Sequence, residues 1–423
     1  MSVDAPRIRI AIVGGGIAGA AVANGLVNTP HLEVRVYESA LEFSERGAAV
    51  GLSAWAQRAL ACLIPSSQET LQKAGAVPMS SARIMVGSGP HAGTLVADMN
   101  NPEEVGGARS EKIVHRASLL RELLAPLPRN ILHANKKLVS IVERGHKREI
   151  SFEDGTTEIF DAIIGADGLF SVVRKHVLQD AAEKCAAVPA GFWDCRNLVP
   201  MARAKAVLGE QYFEQDRQYG WCGDGGFILH DVLEEGTMVQ CVMSGIEKES
   251  PKDRKQALSR DFLTTAFGSW LDGPIAKGVI DLCLDQDNPH GYSQWEHRTT
   301  PTYANGPVCI IGDAAHGTTP WQGAGAGQAF EDAVILATLL EHVFSAGDIE
   351  AAFKAYDIIR RPRGQQVIDS SRETGRIMCG QDEGTGSDPS RLGEALATRW
   401  EFIRNLDIEV HKREALSKMR ELQ

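Results

Sequence analysis

Residues 8–38 constrain the fold more than any other stretch: an apolar β-branched run, IRIAIV (8–13), leads into GGGIAG (14–19), and LEVRVY (32–37) ends at Glu38. A short apolar run closed by glycine predicts a buried parallel strand. The next segment, 17–28, predicts a helix, and 32–37 a second strand, which completes a βαβ unit. Gly14 permits a tight turn, Gly16 lets backbone N–H groups approach a pyrophosphate, and Gly19 lets helix and strand pack closely. Glu38, 22 residues beyond Gly16, is placed to accept hydrogen bonds from a ribose diol. A dinucleotide site follows from this context, where an isolated glycine triplet would imply only a turn.

The same texture returns twice. DAIIGADG (161–168) reads as strand then turn, and GPVCIIGDAAH (306–316) as another buried strand, followed by a helix from Gly327 through Leu340. Helical spacing marks 55–63 and 117–125, while 137–143 and 148–153 predict a small meander. Between about 190 and 285, alternating segments such as GFILHDVL and TMVQCVMSG predict an antiparallel sheet. Beyond 350 the chain reads as helical and charged, broken by GQDEGTGSDPS (380–390).

With 423 residues, the chain is long enough for two or three cores and a large buried ligand. A net charge of −11 gives no basic face, which argues against nucleic-acid binding. No apolar run approaches the roughly 20 residues of a bilayer span, and the start carries no secretory pattern, so a cytoplasmic location is expected. Eight scattered cysteines without a Cys-x-x-Cys pair predict reduced thiols and no metal site.

Two further motifs carry chemistry. In GADGLFSVVR (165–174), Asp167 and Gly168 form a turn at a strand end, with Ser171 and Arg174 one helical turn apart. In GDAAHGTTPWQGAGAGQAFEDA (312–333), Asp313 at a strand's carboxyl end can hold a ribose or ribityl hydroxyl. The glycines ahead of the helix present free N–H groups and partial positive charge to an anion.

The three motifs, in this order and spacing, resemble the single-component FAD-dependent aromatic hydroxylases, with the third most similar to salicylate hydroxylases and their fungal relatives. The resemblance spans residues 8–375 and implies an α/β fold of the p-hydroxybenzoate hydroxylase type. Its Rossmann-like FAD-binding domain would comprise 1–77, 104–180 and 290–375. An interleaved antiparallel-sheet substrate domain would comprise 78–103 and 181–289, and a helical C-terminal segment 376–423. Implied FAD contacts are Gly14, Gly16, Gly19, Glu38, Gly51, Arg116, Asp167, Asp313, Gly325 and Ala326. There are two departures: Ala54-Trp55 stands where relatives often read Pro-Asn, and Trp321 stands where salicylate hydroxylases commonly carry histidine.

The implied activity is a monooxygenase reaction in which NADH or NADPH, as a transient co-substrate, reduces FAD, oxygen adds at flavin carbon 4a, and an electron-rich ring attacks the distal oxygen of the resulting hydroperoxide. The protein would act as a monomer or homodimer on a small aromatic substrate and molecular oxygen. Salicylate or a related ortho-hydroxybenzoate, decarboxylated to a catechol, is the first expectation. A larger phenolic polyketide or alkaloid is the second, and a non-catalytic flavin-binding protein the third. Pro320 is expected beside the reactive flavin edge, with Trp321 and Trp221 walling the pocket. Arg196 matches an arginine that binds phenolate in related dearomatising hydroxylases, whose partner tyrosine is here Asp231. His230 is a candidate base, Arg217 a candidate carboxylate ligand, and His316 a brace for its turn.

Overall fold

The computed structural model describes residues 7–44, 49–79, 81–100, 111–214 and 217–423. The expected 103/104 domain boundary lies outside these residues. Strand Ile8–Val13, helix Ile17–Leu26 and strand Leu32–Tyr37 form the first βαβ unit, with both strands parallel and in register from Ile8↔Leu32 to Val13↔Tyr37. Ala162–Gly165 adds on the other side of Ile8–Val13, and Val308–Ile310 beyond it, both parallel. Leu132–His133 and Ala304–Asn305 complete a six-stranded sheet. Strands buried on both faces need no polar alternation, and Ile10, Ala11, Ile12, Ile163 and Ile164 are all fully buried.

A second, eight-stranded sheet holds Ser81–Val86, Leu95–Asn100, Val188–Pro200, Arg217–Gly223, Gly226–Leu233, Met238–Ile246, Lys255–Ala257 and His290–Glu296. It is antiparallel except where Arg217–Gly223 runs parallel to Ser81–Val86. His290–Glu296 belongs here by its hydrogen bonds to Val188–Pro200, although sequence reasoning put it at the start of a cofactor-binding stretch. The region also contains helices Met201–Leu208, Arg260–Ala266 and Ala276–Leu284, which the alternating texture did not reveal. Val199, Met243, Val279 and Ile280 share a core on the sheet's outer face.

Helix Gly325–Leu340 packs beside Ile17–Leu26, and the 30-residue helix Ile349–Met378 runs along it. Three shorter helices, Pro389–Ala397, Glu401–Arg404 and Ile408–Leu422, close the chain. Among the described residues no helix is long and apolar enough to cross a membrane.

Candidate active site

The three glycine-bearing turns meet at one place because each leaves room for the next. Gly14 has φ +107°, and a Cβ there would lie 2.2 Å from the Ala166 carbonyl oxygen of the second motif. A Cβ on Gly19 would lie 1.9 Å from the Gly14 carbonyl oxygen. Gly312, at φ +57°, approaches Ala18, so a side chain would press on the first helix. Arg174 joins the second and third turns: one terminal nitrogen donates to the Ala314 and Ala315 carbonyls at 2.9 and 3.1 Å, the other to Thr300 Oγ1 at 2.9 Å. Burial lowers its pKa to about 10.

Asp167 accepts from the Val172 and Val173 N–H groups at 2.7 and 3.1 Å and from the Ser171 hydroxyl. It therefore holds the turn while its neighbours Ala166 and Gly168 line the cavity. His316 contacts Asp332 at 2.6 Å, and Asp332 also accepts from the Gly312 N–H at 2.9 Å and from Arg360 Nε at 2.9 Å. Burial alone would raise the Asp332 pKa, but His316, Arg360 and the Gly312 N–H hold it below the usual value. Arg360 is itself fully buried and also pairs with Glu331. His316 is thus built into the turn that presents Asp313.

These turns bound a cavity of about 470 Å³, within the range that encloses most of a small ligand. Gly16, Ile17 and Ala18 line it at the start of one helix, and Gly325, Ala326 and Ala329 at the start of another. Neither helix has a side-chain cap, so first-turn N–H groups are available to an anionic cofactor. A Cβ built on Gly51 or Gly325 would meet no protein atom within 4 Å, which leaves open space for a ligand against the backbone. Arg116, Asp313 and Pro320 also line the cavity. Glu38 lies outside the wall, its carboxylate accepting from the Gly15 and Ala40 N–H groups, each at 2.8 Å. A carboxylate has about four acceptor sites, so capacity for a ribose hydroxyl remains. This donor and acceptor set, with its glycine-lined space, fits FAD.

The opposite wall is one face of the eight-stranded sheet. Alternate residues point into the cavity: Asp194 and Arg196; Gln218 and Gly220; Phe227, Leu229 and Asp231; Gln240, Val242 and Ser244. The pleat corrects three expectations. Arg217 and Trp221 flank the inward positions Gln218 and Gly220, and His230 lies between Leu229 and Asp231, so all three face away. Arg217 lies 3.7 Å from Asp98. Trp221 is fully buried in the outer core, with Tyr212 at 5.7 Å between ring centroids. His230 stacks on Tyr219 at 5.0 Å, and burial pushes its pKa down to about 3.

Arg196 donates through Nε and a terminal nitrogen to Asp194 Oδ2 at 2.9 and 2.6 Å. The attraction of Asp194 raises its pKa despite burial. Asp231 accepts from Gln218 Nε2 at 3.0 Å and Gln240 Nε2 at 3.1 Å, and burial raises its pKa to about 6.

Both departures from the hydroxylase pattern line the cavity, each on a neighbouring glycine. The Trp55 ring occupies the space a Cβ on Gly327 would need, 2.0 Å away, and Trp321 Nε1 lies 2.4 Å from a Cβ on Gly375. Trp321 meets Phe192 and Phe227 edge-on at 5.0 and 5.5 Å.

The C-terminal segment, which had no assigned site residue, supplies Trp400, Ile403 and Arg404 to the cavity wall. The Gln322 amide donates to the Arg399 carbonyl at 2.9 Å, and Trp400 Nε1 donates to the Gln322 carbonyl at 3.2 Å. Nothing in the local sequence marks these residues, because their role arises only from how the last helices fold back.

Comparison with known proteins agrees with this geometry. The family described as FAD binding domain matches residues 143–371. The 6-methylsalicylate 1-monooxygenase of Aspergillus terreus is 35% identical over 97% of this chain and 92% of its own length. A salicylate hydroxylase of Pseudomonas putida is 32% identical over 97% and 95%, and an FAD-dependent monooxygenase of Aspergillus niger 32% identical over 98% and 97%. The solved structure of a salicylate hydroxylase substrate complex has a TM-score of 0.83 at 26% identity, covering 97% of this chain and 98% of that one. Relatives named as monooxygenases set aside the non-catalytic reading. An FAD cradle facing a polar sheet wall, with these full-length similarities, makes the chain a member of the FAD-dependent monooxygenases of the salicylate hydroxylase type.

Proposed function

We propose that the protein uses NADH or NADPH to hydroxylate a phenolic ring of the salicylate class, an ortho-hydroxybenzoate losing carbon dioxide to give a catechol. The observation carrying this reading is one cavity bounded by the cofactor cradle on one side and by Arg196, Gln218, Asp231 and Gln240 on the other. FAD, when bound, supplies the oxygen-transfer chemistry. The chain's own residues bind and orient the ring and exclude water. Asp313 and Arg116, with the two helix N-termini, would hold the cofactor. Arg196 keeps about 35% of its side chain exposed, and its guanidinium, oriented by Asp194, suits a carboxylate or phenolate. Pro320, Trp321, Ile84, Phe227, Leu229 and Val242 provide an apolar enclosure that strengthens those polar contacts.

A larger phenolic or alkaloid substrate is a second reading. It is favoured by Asp194 and Asp231, which put two carboxylates on the wall where an anionic benzoate would lie, and by Trp321. Holoenzyme assayed with salicylate, 6-methylsalicylate and a panel of larger phenols, following nicotinamide oxidation, hydrogen peroxide and carbon dioxide, separates the two. Carbon dioxide and catechol formed in equal amounts support the first reading. A hydroxylated product that keeps all its carbon supports the second. If no phenol raises nicotinamide oxidation above the peroxide-forming background, both fail.

A further inference from the structure

Asp231 is 2% exposed and lies on the cavity face of strand Gly226–Leu233, next to the outward-facing His230. Its surroundings present it as an acceptor. The Ala49 N–H donates to Gln240 Oε1 at 3.1 Å, which fixes that amide so that its nitrogen faces Asp231 Oδ1. Gln218 Nε2 donates to Oδ2. Each carboxylate oxygen has a second lone pair, so both amides orient the group without exhausting it. Among the cavity-lining residues of the sheet wall, the titratable groups are Asp194, Arg196 and Asp231; a guanidinium accepts no proton, and Asp194 already accepts two hydrogen bonds from Arg196.

The other charged or titratable groups around Asp231 lie on each strand packed against it. Arg196, which attracts Asp231, and Asp194 come from Val188–Pro200. Cys241 stands on Met238–Ile246, with Cys195 behind it. Arg217 and Tyr219 are the outward neighbours of Gln218. Strand Glu111–His115 brings Glu111, which lines the same cavity and pairs with Arg404 at 3.4 Å, together with Lys112 and His115.

We infer that Asp231 accepts the hydroxyl proton of the bound ring, an inference that rests on the aromatic-hydroxylase reading above. The phenol O–H bond breaks, its electron pair stays on oxygen, and the proton forms a bond to a carboxylate oxygen of Asp231. No oxidation state changes, and the ring gains electron density at the positions ortho and para to the oxygen. The proton returns to the product oxygen before release. A carboxyl whose pKa burial raises to about 6 is ionised at neutral pH yet more basic than an exposed aspartate, which suits a general base.

The test compares wild-type holoenzyme with Asp231→Asn and Gln218→Leu on phenols of graded acidity, with flavin content checked in each. Asp231→Asn is expected to lower kcat by about 10²- to 10⁴-fold on weakly acidic phenols. On nitrophenols already ionised at the assay pH the loss is expected to be less than about 10-fold, a rescue that misfolding would not produce. Gln218→Leu removes a donor that favours the ionised carboxylate, so the acidic limb of the kcat profile is expected to move up by roughly one pH unit. A purely structural defect would lower activity equally at all pH values. The inference is overturned if Asp231→Asn keeps wild-type kcat on weakly acidic phenols. Equal losses across the acidity series overturn it too, as does an unmoved acidic limb in Gln218→Leu. If wild-type enzyme responds to no phenol at all, the failure lies in the aromatic-hydroxylase reading, and this inference falls with it.

Discussion

At the scale of single residues, the cavity depends on side chains that fit only because a neighbour has none. Gly375→Ala would put a Cβ 2.4 Å from Trp321 Nε1, forcing the indole toward the cavity at an overpacking cost of about 1–3 kcal/mol. The variant should bind FAD normally but show a KM for the aromatic substrate raised by roughly 5- to 150-fold, the factor equivalent to that cost. An unchanged KM would mean that Trp321 does not wall the substrate side. The glycines that join the three motifs were legible in the sequence because positive φ and close backbone approach belong to the residue type itself. The choice between Gly220 and Trp221, or between Asp231 and His230, was not. Helices Met201–Leu208 and Ala276–Leu284 bury the outer face of the sheet, so WCGDGGFILHDV is apolar on both sides and its alternation carries no sign. Each of the three misplaced residues is one position from an inward-facing one.

At the scale of elements, helix Gly325–Leu340 is held against the Gly312–His316 turn by buried charge. Arg360 pairs with Glu331 and Asp332, and Arg363 donates to Glu331 and to the Phe402 carbonyl at 2.9 Å. Arg360→Met leaves two buried carboxylates short of their cation, and breaking such a pair costs about 3–5 kcal/mol. Urea unfolding should show that loss, and part of it should return when Glu331→Gln and Asp332→Asn are added. A midpoint equal to wild type in the single variant would show that the network contributes little. The first βαβ unit and the helix ending at Leu340 were read nearly to their ends, because apolar period and glycine punctuation act locally. The contribution of Trp400, Ile403 and Arg404 was not readable, because it depends on a fold-back fastened by long-range bonds such as Gln322 to the Arg399 carbonyl.

Over the whole molecule, acid should destabilise the fold through histidines held neutral. Burial pushes His230 and His297 down to about 3 and His411 to about 4, against about 6.5 in the unfolded chain. Their contribution is complete above pH 6.5 and is lost as pH falls through the folded values, because the unfolded state binds the protons first. Asp231 opposes this trend. With its pKa raised to about 6, it favours the folded state more as pH falls from 6 toward 4, as do the burial-raised carboxyls of Asp167 and Glu247. Burial also pushes His133 and His176 down, which adds to the histidine side. The Tm should therefore fall between pH 7 and pH 4.5, and fall less in His230→Phe, whose ring suits the aromatic surroundings. A flat or rising Tm would contradict the assignment. The two sheets meet across one cavity, and the central claim is that oxygen transfer to a phenolic ring takes place there. Turnover of holoenzyme with NADH and salicylate under ¹⁸O₂, with the product analysed by mass spectrometry, tests it most directly. Catechol carrying one labelled oxygen, formed with carbon dioxide, is the predicted result; salicylate and every larger phenol of the panel recovered without label, while all consumed oxygen appears as hydrogen peroxide, would contradict it.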